Sequence, residues 1–423
     1  MSTDGSAAVT FADIEAARER LDDPRVVKRT PVERSTSLEV MTGAAAVHCK
    51  CEHLQWTGSF KTRGAYNKIK LALAEGDVDH VVAASAGNHA QGVALAATRL
   101  GVDATVVMPT VAPQTKIDAT RGYGAAVELV GKDFQEATTY AYEYADEVDA
   151  EFVHAFDDPA IVAGQGTLGL EMADDVPSVD TVVVPIGGGG LISGIATAFA
   201  EKRPETRIVG VQATGAATVA ESLEKGIPQT LDTVDTIADG IATGGISELT
   251  LSIIDRHVDE VVTVTNGEIA EAVLVLMERA KQLVEGAGAA AVAAIRGDEL
   301  DVDGETVMPL LCGGNLDMTM LRAVLIHALT HRRQILRLRV RIDDRPGKMA
   351  ELSGVIADHG ANIQTVRHDR ALEGLDVGEA YLVFQVETSG EGHAANIVEG
   401  IADHGYEVEV VNRSMPGDRS PTV

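Results

Sequence analysis

Positive charge is scarce in this chain of 423 residues, which carries 35 Lys and Arg residues against 64 Asp and Glu and a formal net charge of −29. A surface with so many carboxylates repels phosphate groups and anionic lipids. We therefore expect no nucleic acid and no anionic membrane as a partner. The acidic excess is spread along the chain, and arginine outnumbers lysine 24 to 11. This acidic composition suggests the hypothesis of adaptation to concentrated salt, where screening relieves the self-repulsion.

Cysteine is also scarce, with three residues in the chain. Cys49 and Cys51 are too close in sequence for an easy disulfide, and three thiols are too few for a zinc cage. We predict ordinary core packing for this pair and no bound metal ion.

The chain has no run of about 18 apolar residues, the length that a membrane-spanning helix requires. Residues 1–8 are small and polar, unlike the start of a signal peptide. We therefore expect a cytoplasmic protein. Its length and its hydrophobic content of 45% allow two or three domains with real cores.

One of the few lysines, Lys61, lies in the segment Leu54–Ala65, which reads L-Q-W-T-G-S-F-K-T-R-G-A. It stands between the aromatic ring of Phe60 and small or polar residues. An isolated lysine of this kind is usually a solvated loop residue. Three further motifs favour a functional role for Lys61 instead.

The first motif is Ser85–Gly92, which reads S-A-G-N-H-A-Q-G. It follows the apolar run His80–Ala84 and precedes a helical pattern over Val93–Leu100, which Gly101 closes. The predicted order is strand, glycine turn, helix. Unpaired N–H groups at the start of such a helix suit a carboxylate or a phosphate, and Asn88 adds a side-chain donor.

The second motif is the run of four glycines from Gly187 to Gly190, followed by Leu191. It lies between a predicted strand over Thr181–Ile186 and a predicted helix over Leu191–Glu201. Such a backbone can fold into a concave nest of N–H groups that holds a phosphate, although a merely flexible turn is the alternative. The run is neither a Walker loop nor the spaced dinucleotide fingerprint.

The third motif, L-C-G-G-N-L-D over Leu311–Asp317, follows a predicted strand over Thr306–Leu311. It places Cys312 at the carboxyl end of that strand, where open α/β sheets bind ligands. A lone buried cysteine is more often an unreactive residue that packs in the hydrophobic core.

Together the four motifs, in this order and spacing, resemble the fold-type II pyridoxal phosphate enzymes, and most closely the threonine and serine dehydratases (threonine ammonia-lyases). The resemblance covers roughly residues 10 to 330. It implies that Lys61 holds the cofactor as a Schiff base and that Ser85, Ala86, Gly87, Asn88 and His89 receive the substrate carboxylate. The other cofactor contacts that it implies are Phe60, Asn88 at the ring hydroxyl, Gly187, Gly188, Gly189, Gly190 and Leu191 at the phosphate, Cys312 at the pyridine nitrogen, and Gly240 and Glu285 as further pocket elements.

The residue expected at the pyridine nitrogen decides the chemistry. A carboxylate there would keep the ring protonated, whereas a thiol such as Cys312 is a weak, neutral partner. The resulting shallow electron sink favours prompt loss of a β-leaving group, with Lys61 as the general base at Cα. The expected products are a 2-oxo acid and ammonia.

At two places this chain differs from the serine racemases of the same family, which argues against racemase activity. The serine racemases of the family have a serine where this chain has Ala86, so racemisation lacks its second acid. Their divalent-metal site uses acidic residues where this chain has Q-A-T-G-A-A-T over Gln212–Thr218, and without carboxylates a hard cation has little to bind. A serine-specific dehydratase, a threonine synthase and a catalytically silent amino-acid sensor remain as alternatives.

Past residue 330 the pattern changes. Leu336–Ile342 alternates strictly between apolar residues and arginine, which predicts a half-buried strand whose arginine row lies on an exposed or subunit-facing surface. Next come a helix over Lys348–His359, strands over Asn362–His368 and Glu379–Glu387, and finally a helix over 391–404 and a strand over 406–411. The order βαββαβ is ferredoxin-like.

This tail resembles an ACT domain, a module that binds amino acids to regulate metabolic enzymes. Its recognisable pieces are the turn Asp344–Gly347 and Gly360–Asn362. The resemblance implies an effector site at Asp344, Pro346, Gly347 and Asn362, with isoleucine as the natural candidate, and pairing across subunits in a homo-oligomer. A purely dimerising domain is the alternative.

The predicted fold class is α/β: a two-lobed fold-type II (tryptophan synthase β-like) catalytic domain followed by a ferredoxin-like ACT domain. The catalytic domain is predicted over 9–330, with a small lobe, 52–154, inserted in a large lobe formed by 9–51 and 155–326. The ACT domain is predicted over 335–412, and 1–8 and 415–423 are predicted to be disordered tails.

Overall fold

The computed structural model describes residues 9–76, 78–370 and 375–411. The predicted tails, 1–8 and 415–423, lie outside the described residues. The chain divides into two compact units between Met318 and Thr319. This division falls near the start of a helix, Met318–His331, whose end lies close to the predicted limit of the catalytic domain. The domain limits given above stay predictions.

The first unit alternates helices and strands along most of its length. Its helices are α1 (Phe11–Arg20), α2 (Thr36–Thr42), α3 (Lys61–Glu75), α4 (Asn88–Leu100), α5 (Gln114–Gly122), α6 (Phe134–Glu147), α7 (Pro159–Asp175), α8 (Gly190–Lys202), α9 (Val219–Lys225), α10 (Glu248–His257), α11 (Asn266–Val275) and α12 (Gly286–Arg296). Its strands are β1 (Val32–Arg34), β2 (Ala46–Lys50), β3 (His80–Ala84), β4 (Asp103–Met108), β5 (Ala126–Leu129), β6 (Glu151–Phe152), β7 (Thr181–Pro185), β8 (Arg207–Ala213), β9 (Glu260–Val264) and β10 (Thr306–Pro309).

Six strands form a large sheet in the order β1-β2-β10-β7-β8-β9. Its pairs are parallel apart from the antiparallel edge pair β1–β2. The strand β7 is buried at every position, as expected for a strand covered on both faces. Cys49 on β2 and Cys51 just beyond it are both buried and free, as the sequence predicts.

Four parallel strands form a small sheet in the order β5-β4-β3-β6. Alternate residues of β3 face opposite sides, because successive side chains of a strand do so. Val81 packs in a core with Ile69 of α3 and Val93 of α4, while Val82 packs with the alanines of α6 on the other face. Both faces of this sheet are therefore covered by helices.

The strand–turn–helix units predicted at the first two motifs are confirmed, as is the strand predicted before the third motif. The strand β3 leads into α4, which ends where Gly101 adopts a left-handed φ of 73°. The strand β7 leads into α8, and β10 leads into the loop that contains Cys312. Since all three strands are parallel members of their sheets, each motif lies at a carboxyl edge.

The second unit contains a helix, α13 (Met318–His331), at its start and then the predicted βαββαβ order. Its elements are β11 (Ile335–Asp343), α14 (Lys348–Asp358), β12 (Asn362–Asp369), β13 (Glu379–Glu387), α15 (Glu391–Asp403) and β14 (Val408–Val410). The strands pair antiparallel in the order β12-β13-β11-β14. This is the predicted ferredoxin-like arrangement, and it is consistent with an ACT-like domain.

The alternation of β11 separates its two faces as expected. Leu338 and Val340 are fully buried in the core of the second unit. The arginines between them are partly exposed, and Arg339 and Arg341 form ion pairs with Glu409 and Glu379 on the neighbouring strands. The arginine row therefore serves cross-strand pairing within this sheet.

Among the helices that the structure describes, none combines the length and the apolar character needed to cross a membrane.

Candidate active site

A cavity of about 630 Å³ lies in the first unit, between the carboxyl ends of the small-sheet strands and those of the large sheet. The residues predicted for cofactor and substrate line this one cavity: Phe60, Lys61, Ser85, Ala86, Gly87, Asn88, His89, Gly187, Gly188, Gly189, Gly190, Leu191, Gly240, Glu285 and Cys312. The structure thus brings together residues that lie more than two hundred positions apart in the sequence. Their individual roles remain predictions.

Lys61 is the first residue of α3, so the helix fixes its backbone at the cavity wall. Its Nζ donates a hydrogen bond to the Ala155 carbonyl at 2.9 Å and lies 5.2 Å from the centre of the Phe60 ring. Burial lowers the pKa of the Lys61 amine to about 8, because an apolar surrounding disfavours the charged form. About a tenth of this amine is therefore uncharged, and nucleophilic, at pH 7, far more than for an ordinary lysine.

Close packing of two helices holds Lys61 in place. A Cβ at Gly92 of α4 would lie 2.9 Å from the Lys61 carbonyl carbon and 3.1 Å from its Cβ. Because only glycine leaves this space, α4 approaches the first turn of α3 directly. The helix α4, which begins within the Ser85 motif, and the helix α3, which carries Lys61, therefore share one rigid contact.

A buried ion network also anchors the first turn of α3. The guanidinium of Arg63 is 1% exposed and forms a fork with Glu52, at 2.7 and 3.1 Å, and a second one with Glu171 of α7, at 2.8 and 3.1 Å. Lys50, which is fully buried, donates to Glu171 and to Asp175. Such a pairing is tolerated in a core because each charge has several hydrogen bonds.

The Ser85 motif contributes the start of α4. Gly87 is the N-cap of this helix, and the Ser85 hydroxyl accepts a hydrogen bond from the Gly87 N–H at 3.2 Å. The His89 ring is buried, and its Nε2 donates to the Val153 carbonyl at 2.8 Å, since a carbonyl can only accept. Burial lowers the pKa of His89 to about 3. The imidazole is thus neutral and donates within the protein, which leaves the N–H groups of the first turn of α4 to bind an anion.

The glycine run forms the turn between β7 and α8. Gly189 is the N-cap of α8 with a φ of 90°, a left-handed conformation that favours glycine. A Cβ at Gly188 would lie 2.2 Å from the Phe156 ring, so a larger residue does not fit there. The Thr250 hydroxyl donates to the Gly188 carbonyl at 3.0 Å and holds the turn open. The first N–H groups of α8 lack partners within the helix, so this turn forms a cradle of N–H donors that suits a phosphate.

Cys312 lies just beyond β10 and is buried, with 3% of its surface exposed. Its carbonyl accepts a hydrogen bond from the Phe60 N–H at 3.3 Å, which ties it to the segment before Lys61. Burial raises the pKa of the Cys312 thiol, so this group is neutral at physiological pH.

Asn88 and Glu285 meet inside the cavity. The Asn88 Nδ2 donates to Oε1 of Glu285 at 2.7 Å. Burial raises the pKa of the Glu285 carboxyl to about 7, although the hydrogen bond from Asn88 opposes this shift. A Cβ at Gly240 would lie 3.1 Å from Glu285 Oε1, which explains why a small residue is needed beside it.

Sequence reasoning missed several residues that line this cavity. Asn315 donates to Asn88, and Phe156 lies against the glycine run. Lys116 of α5 pairs with Asp239 at 2.9 Å across the cavity mouth. Of these, Asn315 carried a signal in the sequence, because it belongs to the L-C-G-G-N-L-D motif. The others lie in segments without a recognisable pattern.

The predicted effector residues lie in the second unit. Asp344 pairs with Arg370, and Gly347 is the N-cap of α14 with a φ of 97°. Asn362 begins β12, and its Nδ2 donates to Glu387 at 3.2 Å. Asp344 and Pro346 belong, with Gly347, to the turn between β11 and α14, so Asn362 is the one residue of the four on another element.

No group of three or more His, Cys, Asp and Glu side chains in the described ranges is arranged to hold a metal ion. The expectation of a metal-free site remains a prediction.

Comparison with known proteins agrees with this geometry. Residues 24–313 match the family model described as pyridoxal-phosphate dependent enzyme. The chain is 43% identical over 403 residues, 95% of its length and 100% of the relative's, to a protein of Thermotoga maritima named L-threonine ammonia-lyase. Among solved structures, threonine deaminase isoform 2 of Solanum lycopersicum is 37% identical with a TM-score of 0.70, covering 75% of this chain and 87% of that one. Maize serine racemase is 34% identical with a TM-score of 0.71, covering 77% and 100%.

The chain belongs to the family of pyridoxal-phosphate dependent enzymes. The cavity fits that cofactor, because it combines an amine of lowered pKa at Lys61, a glycine cradle at 187–190 and a neutral thiol at Cys312.

Proposed function

We propose that this chain dehydrates and deaminates L-threonine to 2-oxobutanoate and ammonia, and L-serine to pyruvate and ammonia. The proposal rests on one observation: Lys61, the Gly187–Gly190 cradle and Cys312 all line the same cavity. The 43% identity to a protein named L-threonine ammonia-lyase, over the whole of that protein, supports the choice of substrate.

Three elements of the cavity would hold the cofactor. The turn before α8 would receive its phosphate through the N–H groups of Gly187–Leu191, and Cys312 would face its pyridine nitrogen. Phe60 would pack beside the ring, and Asn88 would donate to the ring oxygen. When bound, pyridoxal phosphate stabilises negative charge at the Cα of an amino acid.

Lys61 would act as the base that removes the proton from Cα. Its amine needs to be uncharged for this step, and its pKa of about 8 leaves it partly so at neutral pH. The Ala155 carbonyl, which accepts from Nζ, orients the amine within the cavity.

The start of α4 would bind the substrate carboxylate. The N–H groups of the first turn of α4, which begins at Asn88, and the positive end of the helix dipole favour an anion there. The side chain of His89 would not take part, since its ring donates to Val153. Ala86 has no acidic proton, so this side of the cavity would offer no second acid for racemisation.

Serine-specific dehydration is the main alternative among enzymes. One substrate methyl group is worth only about 1 to 3 kcal/mol of discrimination in an apolar pocket. We therefore expect turnover of both substrates, with threonine preferred. A catalytically silent amino-acid sensor is the alternative of another class.

The test is production of 2-oxo acids from L-threonine and L-serine by the purified protein, beside Lys61→Ala and the control Lys132→Ala. Lys132 is an exposed lysine of the same lobe that pairs only with the neighbouring Glu136 among the contacts described. We expect Lys61→Ala to lower the rate about a thousandfold or more and Lys132→Ala to leave it unchanged. Absence of any 2-oxo acid from a protein with bound cofactor would contradict the proposal and favour the sensor.

We further propose that the second unit binds an amino acid through the turn Asp344–Gly347 and Asn362, with isoleucine as the first candidate. The proposal rests on its ferredoxin-like fold and on the helix N-terminus that this turn presents. ACT modules of this kind pair across subunits, so a cytoplasmic homo-oligomer belongs to the same proposal.

Isoleucine, valine and threonine can each be tested for a shift in the unfolding midpoint of the full chain. We expect isoleucine to raise it and Asp344→Ala to abolish the shift, while Asp358→Ala, an exposed residue at the end of α14, retains it. If no amino acid shifts the midpoint and the protein is nevertheless a dimer, the domain serves dimerisation alone.

A further inference from the structure

Asn315, Asn88 and Glu285 form a hydrogen-bonded chain at the cavity wall. The Asn315 Nδ2 donates to Oδ1 of Asn88 at 2.8 Å, and the Asn88 Nδ2 donates to Oε1 of Glu285 at 2.7 Å. Both side-chain groups of Asn88 are therefore engaged by protein neighbours.

The direction of these hydrogen bonds is set by a main-chain group outside the three. The Asn315 Nδ2 also donates to the Thr57 carbonyl at 2.7 Å. A carbonyl can only accept, so Asn315 must present its NH₂ group on this side. Thr57 is 1% exposed, which leaves its carbonyl no exchange with water.

The orientation of Asn88 follows from that of Asn315. Because Asn315 presents hydrogens, Asn88 meets it with Oδ1 and turns its NH₂ group toward Glu285. The opposite orientation would set two NH₂ groups against each other, so the bond between Asn315 and Asn88 would be lost at a largely buried place, where unmade bonds are costly. When Glu285 is ionised, the Asn88 oxygen would also face a carboxylate oxygen, and the second bond would be lost as well.

Glycines on three sides make room for this arrangement. Gly58 has a left-handed φ of 72°, and a Cβ there would lie 2.4 Å from Asn315 Oδ1. A Cβ at Gly313 would lie 2.2 Å from Glu285 Oε1, and one at Gly240 would lie 3.8 Å from Asn88 Nδ2. The two glycines after Cys312 thus bring the backbone close enough for Asn315 to reach both Thr57 and Asn88.

We propose that Asn315 is a positioning residue. Because Asn315 donates to the Thr57 carbonyl, it fixes the orientation of the Asn88 amide, so that the NH₂ group of Asn88 always faces the cavity. The Asn88 amide has two hydrogens, of which one is used by Glu285. The second is thereby available to an acceptor oxygen on a bound ring. This role rests on the proposed function, in which Asn88 donates to the pyridoxal ring oxygen.

The test measures the affinity of the apoprotein for pyridoxal phosphate, by absorbance titration, in Asn315→Ala, Asn88→Ala and the double variant. We expect Asn315→Ala alone to weaken binding about tenfold, the order of one hydrogen bond at a buried site. If Asn315 acts through Asn88, the double variant binds no more than about twofold more weakly than Asn88→Ala. If the two losses instead multiply, Asn315 acts independently of Asn88 and the inference is wrong.

Asn67→Ala is the matched control. Asn67 is fully buried in α3 and also uses both ends of its amide, accepting from Arg20 at 2.7 Å and donating to the Ala160 carbonyl at 2.7 Å. Its loss should lower the unfolding midpoint of the apoprotein without changing the cofactor affinity. If Asn67→Ala loses as much cofactor affinity as Asn315→Ala does, then Asn315 has only a general structural role and the inference is wrong.

Asn315→Asp covers the case in which the alanine variant fails to fold. The carboxylate has the same shape but only accepts, so Asn88 can satisfy it only by turning its NH₂ group away from Glu285. We expect weaker cofactor binding, with a loss that grows as pH rises and both carboxyls ionise. Wild-type affinity at every pH would contradict the inference. Failure of the wild-type apoprotein to bind pyridoxal phosphate would instead show that the proposed function is wrong.

Discussion

The Glu285 carboxyl is the titrating group in the cavity whose ionisation bears most directly on stability near neutral pH. It is 8% exposed, and burial raises its pKa from 4.5 to about 7. In the unfolded chain the same group ionises at its ordinary, lower pKa. Between these two values the folded state holds a proton that the unfolded state has lost.

Stability of the apoprotein should therefore decrease as pH rises through the window from about 4.5 to about 7. The sign follows because the folded state binds more protons there, and the total is on the order of 3 kcal/mol. Glu285→Gln cannot ionise, so we expect it to be as stable as the wild type near the bottom of the window and more stable above it. Urea unfolding at several pH values measures the difference.

Glu143→Gln on the exposed side of α6 is the control for this measurement, and it should leave the pH dependence as in the wild type. A constant difference between Glu285→Gln and the wild type at all pH values would show that Glu285 does not titrate in this window.

At the residue scale, the sequence predicted the cavity residues that belong to short motifs. Asn88 and Cys312 each follow a strand that the sequence predicts, whereas Lys61 was identified from its neighbours and the helix α3 that begins there was not predicted. Asn315 stood in a quoted motif, yet its role depends on the Thr57 carbonyl, far away in the sequence. A hydrogen bond that joins distant loops leaves no periodicity, so such roles could not be predicted.

The turn between β7 and α8 is the element that would hold the cofactor phosphate. Gly188→Ala places a Cβ 2.2 Å from the Phe156 ring, so either the ring or the turn must move. We expect at least about a tenfold loss of pyridoxal phosphate affinity, measured by titration of the apoprotein. Gly354→Ala in α14 is the control, since no atom lies within 4 Å of its added Cβ, and it should bind the cofactor normally. Equal binding by Gly188→Ala would mean that the turn is not a close-fitting cradle.

The ion network around Arg63 joins α3 to α7 and to the turn after β2. Arg63→Met would leave Glu52, which is fully buried, and Glu171 without their common partner. Breaking a buried pair in this way costs about 3 to 5 kcal/mol. We expect this loss in denaturant unfolding of the apoprotein, whereas Arg25→Met, at a side chain that is 77% exposed, should leave the midpoint unchanged. A small effect in Arg63→Met would show that water enters the network.

At the element scale, the part of the second unit from β11 to β14 was predicted almost residue by residue, whereas the helix α13 was not predicted. The strict alternation of β11 and the apolar stripe of α14 follow directly from burial on one face. The π-helical turn Leu276–Ala280 and the short helical turn Asp239–Ile241 were not predicted. Neither has a repeating pattern in the sequence. The turn Asp239–Ile241 lines the cavity, where tertiary contacts set its shape.

The charge of the whole molecule gives a separate prediction. With a net charge of −29, self-repulsion should destabilise the folded chain in dilute buffer, and added salt should relieve it. We expect the midpoint of thermal unfolding to rise steadily from dilute buffer to molar KCl. Unchanged stability over this range would contradict the hypothesis of adaptation to concentrated salt.

The order of strands in the two sheets of the first unit has a consequence for synthesis on the ribosome. The small sheet uses strands that emerge one after another, from His80 to Phe152. The large sheet cannot close until β10 emerges, since it inserts between β2, where Ala46 pairs with Thr306, and β7. Because domains fold as their segments become available, the nascent chain would complete its cofactor cavity last, and capture of pyridoxal phosphate would mark the end of folding of the first unit.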